Sequence, residues 1–211
     1  MNTDPLAFFR EDFVALFNRG SKALADRAAS GDASDKARYD DIAAARGAVR
    51  LVFEGDDGGE VWLAIENGAM EARDGSPDLP PRLAIAVPAD AARAALEMIA
   101  DEDRLDEDRA SRRIARSASA EVEKILAGHR LEFHVTITDL PADPEQVTVR
   151  IAVGATDAPD EPKFSAKVSW DDIEDVRAGE MTPQQLFGRL KITGDATQAM
   201  ALGMTLMQRK R

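Results

Sequence analysis

A chain of 211 residues, 44% of them apolar, can bury one ample core, and with only 5% aromatics that core must be built from aliphatic side chains and alanine. The lack of cysteine excludes disulfides, thiolate metal sites and cysteine nucleophiles, and suits a reducing compartment. A net charge of −12 repels phosphate backbones and anionic bilayers, so no nucleic-acid partner and at most transient membrane contact are expected; the basic run Arg209-Lys210-Arg211 reads as a solvated tail.

No stretch approaches the roughly 18 apolar residues of a membrane span. Met1 to Phe13 carries three acids in place of the basic start and apolar run of a secretory leader, so the expectation is a cytoplasmic protein. Asp4 before Pro5 predicts a helix N-cap followed by proline at the first helical position. Leu6, Phe9, Phe13, Leu16, Phe17 and Leu24 then recur at helical spacing, and Ser30-Gly31-Asp32 ends the element. A second helix runs through Tyr39, Ile42 and Ala45 to Gly47, which makes 1–47 an N-terminal helical segment.

From residue 48 the period changes to two. Val49, Leu51 and Phe53 alternate on one strand, Asp56-Asp57-Gly58-Gly59 turns the chain, and Val61, Leu63 and Ile65 form the next strand. Asn67-Gly68 marks another turn into a short strand near Met70, and Leu83, Ile85 and Val87 follow the rigid stretch Pro77 to Pro81. Asp90 is the expected cap of an alanine-rich helix. Residues 101–113 are dense in charge and lead into a helix striped by Ile114, Ala118, Val122 and Ile125.

A second β region begins with Leu131, Phe133, Val135 and Ile137, continues with Val147, Val149 and Ile151, and ends with Phe164, Ala166 and Val168. Asp171 is the expected cap of a short helix closed by Gly179. Thr182-Pro183-Gln184-Gln185 reads as a capping box, with the Thr182 hydroxyl on the Gln185 amide and the Gln185 side chain reaching back. A Leu190-Lys191-Ile192 strand then leads through Gly194-Asp195 into a terminal helix.

The two β regions look alike. Strand 49–53 corresponds to 131–137, 60–68 to 146–154, and 81–90 to 162–171, which points to pseudo-repeats over 48–100 and 129–179 followed by an ending at 180–208. One compact domain over 48–211 is expected, because neither repeat looks complete alone.

The order of elements from Trp170-Asp171-Asp172-Ile173 through Thr182-Pro183-Gln184-Gln185, Leu190-Lys191-Ile192 and Gly194-Asp195 resembles the sterol carrier protein type two (SCP2) family. Residues 49–99 resemble the family's earlier strands more loosely, whereas 1–46 and the charged helical stretch before the second β region depart from its minimal pattern. The resemblance implies an α+β fold, a mixed and mainly antiparallel sheet covered by helices, enclosing an apolar cavity for sterols, fatty acids or acyl chains. It implies no catalytic group and no cofactor.

On that resemblance the expected lining is Phe133, Val135, Val149, Phe164, Phe187, Leu190, Ile192, Met200, Met204 and Leu206. The terminal helix, Ala196 to Met207, is apolar nearly all round and must bury more than one face. Its second face is expected against a ligand, another helix or a second copy in a homodimer. The two histidines, His129 and His134, make no metal site, and no Gly-x-Ser-x-Gly elbow or phosphate-binding glycine loop is present, so catalysis is not expected. The leading expectation is a lipid-binding or lipid-transfer protein. The competing one is an interaction module whose cavity has collapsed and whose terminal helix docks a partner.

Overall fold

The computed structural model describes residues 2–101, 113, 115, 117–141 and 143–207. The strand-forming alternation seen in the sequence produces eight strands: β1 (Arg46–Glu54), β2 (Gly59–Glu66), β3 (Ala69–Arg73), β4 (Pro81–Pro88), β5 (Leu131–Thr138), β6 (Val147–Val153), β7 (Phe164–Ser169) and β8 (Lys191–Gly194). They form one mixed, mostly antiparallel sheet in the order β3-β2-β1-β4-β6-β5-β7-β8. β1 pairs antiparallel with β2 and parallel with β4. β5 likewise pairs antiparallel with β6 and parallel with β7. The seam between the two groups is the antiparallel β4–β6 pair, from Leu83 opposite Val153 to Ala86 opposite Arg150. Between β2 and β3 the two linking residues, Asn67 and Gly68, both have positive φ, 54° and 75°. That is the geometry a two-residue type I′ hairpin requires, and the residue pair it selects.

The N-terminal segment lies on one face of the sheet. Asp4 caps α1 (Pro5–Ala7), its carboxylate accepting from the Ala7 amide at 2.8 Å. The sequence predicts one regular helix onward, but Phe8–Phe13 forms a widened π-helical turn before α2 (Val14–Ala29) and α3 (Ala33–Ala43). The widened turn shifts the helical phase and gathers Phe8, Phe9 and Phe13, and Phe9 stacks on Phe53 of β1 at 5.7 Å. Two polar ties fix α2 to the hairpin: Asn18 exchanges hydrogen bonds with Met70 N–H and C=O (2.9 and 3.0 Å), and the buried Ser21 hydroxyl donates to Gly68 C=O at 2.6 Å. Around these, Phe17, Leu24, Ile42, Leu51, Phe53, Val61 and Leu63 make a dense core.

On the same side α4 (Ala89–Asp101) follows β4 directly, and α5 (Ala120–Ala127) precedes β5. Then come α6 (Trp170–Ala178), α7 (Pro183–Arg189) and α8 (Thr197–Met207). The Thr182–Gln185 capping box is present in full with Pro183 inside it. Two caps differ from expectation. Ser169 rather than Asp171 caps α6, because the helix starts at Trp170, directly after β7, with the Ser169 hydroxyl accepting from the Asp172 amide (3.2 Å). α4 starts at Ala89, so Asp90 sits inside the first turn, where its charge favours the helix dipole. The expected stripe residue Ile114, most of the 101–113 charge run, and the basic tail 209–211 fall outside the described residues.

Among the described residues, no covering helix is found on the opposite face. There Arg50 lies over the Trp62 ring at 5.6 Å and pairs with Glu60 and Asp157, while Arg150 pairs with Glu54 and Asp160. His134 alternates onto this face, with Nε2 2.9 Å from the Pro159 carbonyl. The loop after β6 is thereby strapped across the middle of the sheet.

Candidate functional site

Between the sheet and its covering helices lies an apolar cavity of roughly 1030 Å³. Its floor is the inward set of alternating side chains: Val49, Leu51 and Phe53 of β1, Leu63 and Ile65 of β2, Leu83, Ile85 and Val87 of β4, Val147, Val149, Ile151 and Val153 of β6, and Leu131, Phe133 and Ile137 of β5. The floor therefore runs across both strand groups and over the β4–β6 seam. The walls are Phe8, Phe9, Phe13 and Leu16 on one side, α4 above, and α5 and α8 on the other, which add Val122, Leu126, Ala199, Leu202, Gly203 and Leu206.

The space persists because of what α4 presents. Ala91, Ala92, Ala94 and Ala95 line it beside Leu96 and Met98, so much of the helix meets the space with methyl groups where larger side chains would have filled it. The two halves also differ in packing. The first has the phenylalanine-rich N-terminal helices; the second has a smaller cluster around Leu131, Val153 and Leu202.

Of the ten expected lining residues, Phe133, Val149 and Leu206 are in the cavity wall. Val135, Phe164, Phe187, Leu190, Ile192, Met200 and Met204 are not among its lining residues. Phe164 is buried and stacks on Phe133, with ring centroids 4.9 Å apart, so it supports the wall from behind. Phe187 of α7 packs against Gly203 of α8. Ile192, Met200 and Met204 are 36%, 44% and 54% exposed. The reason is helical phase: Ala199, Leu202, Gly203 and Leu206 take the inward face of α8, which leaves Met200 and Met204 outside. Sequence reasoning also confined the lining to residues after 130. The first strand group supplies as much of the floor, and its signal was the same alternation at Val49 to Phe53, Leu63 to Ile65 and Leu83 to Val87.

The charged lining residues are Arg82, second in β4, and Glu123 on α5, with Ser117 and Trp170 as further polar-bearing side chains. Glu123, only 8% exposed, accepts from the Arg46 amide through Oε2 at 2.6 Å, and Arg82 Nη2 stands 3.9 Å from the same oxygen. Burial raises the Glu123 pKa; the Arg46 amide and the Arg82 and Arg46 charges oppose that rise, and Asp41 adds to it. Gly47 makes the contact possible, since a Cβ there would lie 2.5 Å from Arg82 Cγ and 2.9 Å from Glu123 Oε1. Among the described residues no cluster of three His, Asp or Glu side chains is placed to hold a metal ion, and no helix is long and apolar enough to cross a membrane.

Comparison with known proteins gives one finding. The model of the SCP-2 sterol transfer family matches residues 108–207, which takes in the helix before β5 that the sequence reading set apart from the family pattern. No curated protein and no solved structure matches the chain. The match points to lipid binding or transfer in general, and the fold beneath it is an α+β sheet covered by helices. Residues 108–207, a little under half of the chain, are thus similar to the SCP-2 sterol transfer family.

Proposed function

We propose that the chain is a non-enzymatic lipid carrier that holds one hydrophobic molecule in the cavity over its sheet, acting in the cytoplasm. The observation that carries this reading is the cavity itself, roughly 1030 Å³ of apolar-lined space in a chain that over residues 108–207 matches a family named for sterol transfer. Protein interiors are ordinarily packed to crystal density, so space of this size is a feature that needs an occupant. A methylene takes about the liquid volume of a water molecule, about 30 Å³, so the space admits roughly thirty such groups. Apolar area removed from water stabilises by about 25 cal/mol per Å², so binding needs few hydrogen bonds. The proposed lining is Leu51, Leu63, Ile85, Phe133, Val149, Ile151, Leu202 and Leu206.

The two strand groups support an internal duplication. Each has a strand paired antiparallel to its successor and parallel to the strand that precedes a helix. In this reading a single cavity is shared by both copies. The test is solvent extraction of the purified protein and mass spectrometry of the extract. Stoichiometric lipid, or saturable uptake of a fluorescent fatty acid after delipidation, is expected. Absence of both overturns the carrier reading. The exposed Met200 and Met204 favour a second activity, self-association through the outer face of α8, which sedimentation of the wild type against Met200→Lys/Met204→Lys tests.

A further inference from the structure

Among the described residues the exposed large hydrophobics are Ile192, Met200 and Met204, and all three fall in the unit made by α7, β8 and α8. Phe187 of α7 packs on Gly203, which sets the two helices side by side. Thr197, Met200, Ala201, Met204 and Thr205 of α8 are exposed and none is charged, in a chain whose residues are 31% charged. An exposed helix face ordinarily carries charge, so this one is suited to being covered. From Thr182 onward the chain has five basic side chains, Arg189, Lys191, Arg209, Lys210 and Arg211, against one acid, Asp195; every other acid precedes Thr182. Asp172 neutralises Arg189 at 2.6 Å, and α5, packed beside α8, adds one exposed acid and one exposed base, Glu121 and Lys124. Charges more than about 8 Å apart in physiological saline are largely screened from one another, so a local excess of cations acts on a nearby surface despite the negative total.

We propose that the outer face of α8 docks the protein on an anionic bilayer surface, with Met200 and Met204 entering the boundary between headgroups and acyl chains and the basic residues that follow α8 in sequence meeting the lipid phosphates. An apolar helix face settles about 5–10 Å into that boundary, and nearby Lys and Arg add attraction to anionic lipid. Methionine is unbranched and adapts to a fluid partner. A second copy is the other cover for this face, but two copies meeting there bring their basic segments together, whereas an anionic surface neutralises them. The bilayer also suits what lies beneath. Ala199, Leu202, Gly203 and Leu206, on the inward side of the same helix, line the cavity, so one helix separates the guest from the membrane.

The role of α8 as a partition rests on the carrier reading; the docking is tested apart from it. Full-length protein is sedimented with vesicles of phosphatidylcholine alone and of phosphatidylcholine mixed with phosphatidylserine. Binding to the mixed vesicles alone, released by added salt, is expected. Arg209→Gln/Lys210→Gln/Arg211→Gln should weaken it about a hundredfold and Met200→Ser/Met204→Ser roughly tenfold, with unfolding midpoint and fatty-acid uptake from solution unchanged. Equal binding to both vesicles, binding to neither, or a Met200→Ser/Met204→Ser protein that binds as the wild type does overturns the docking face. A dimer that ignores vesicles and dissociates in Met200→Ser/Met204→Ser gives the face to a second copy and overturns it too. Failed docking with uptake intact leaves the carrier reading standing, and docking without any lipid uptake overturns the carrier reading alone. The wild-type comparison of the two vesicles decides the question even where a variant does not fold.

Discussion

Phe133 and Phe164 lie face to face on adjacent parallel strands, their ring planes 11° apart, yet only Phe133 is among the cavity's lining residues. The pair separates a supporting role from a lining role within one contact. Phe164→Ala should remove a buried ring and cost about 3–5 kcal/mol of stability. Phe133→Ala, which opens onto space already present, should cost less and enlarge the cavity. Urea unfolding of both variants checks the ranking, which fails if Phe133→Ala proves the more damaging.

The phase of α8 makes a second pair of opposites. Met204 is exposed and Leu202 is buried against the cavity. Met204→Asp should leave both unfolding midpoint and fatty-acid uptake close to wild type. Leu202→Asp places a carboxylate in apolar surroundings and should abolish uptake or folding. Loss of uptake in a well-folded Met204→Asp protein would return that residue to the cavity wall.

Glu123 gives the molecule a pH signature. Burial raises its folded pKa above the unfolded value, so its contribution to stability is fully present below the ordinary glutamate range and is lost as pH rises through the folded value. Thermal unfolding measured across the mildly acidic range should show stability falling with pH through this group. Glu123→Gln should flatten that component, and an unchanged slope would remove Glu123 as its source.

The polar ties under the N-terminal helices are also measurable. Ser21→Ala leaves the Gly68 carbonyl without its buried donor and should cost about 1–3 kcal/mol. Asn18→Ala releases both Met70 backbone groups of an edge strand and should raise amide exchange at Met70 specifically. Unaltered exchange there would mean that solvent replaces Asn18 without loss.

Much of this architecture is written in short-range chemistry. Alternation at Val49 to Phe53 and Leu131 to Ile137 marks strands, the Asn67-Gly68 pair dictates its own turn, and Thr182-Pro183-Gln184-Gln185 is a helix start readable in four letters. What remained hidden is long-range. A helix apolar nearly all round carries no phase information, so nothing in Ala196 to Met207 distinguishes Leu202 from Met204. The pairing of β4 with β6 joins strands some sixty residues apart, and no local pattern encodes it. Arg82 and Glu123 are ordinary surface residue types until the fold brings them together over Gly47. The π-helical turn at Phe8 to Phe13 obeys tertiary packing against Phe53 over helical regularity.

Because β4 and β6 join edge to edge, the floor beneath the cavity is broadened sideways from β3 to β5, crossing five gaps of about 4.8 Å each. A guest stretched along that trough lies athwart the strands, and its reach is measured in strand spacings instead of residues. Lengthening any one strand would add nothing to the guest it can accommodate, whereas unzipping the single β4–β6 ladder would halve the berth at a stroke.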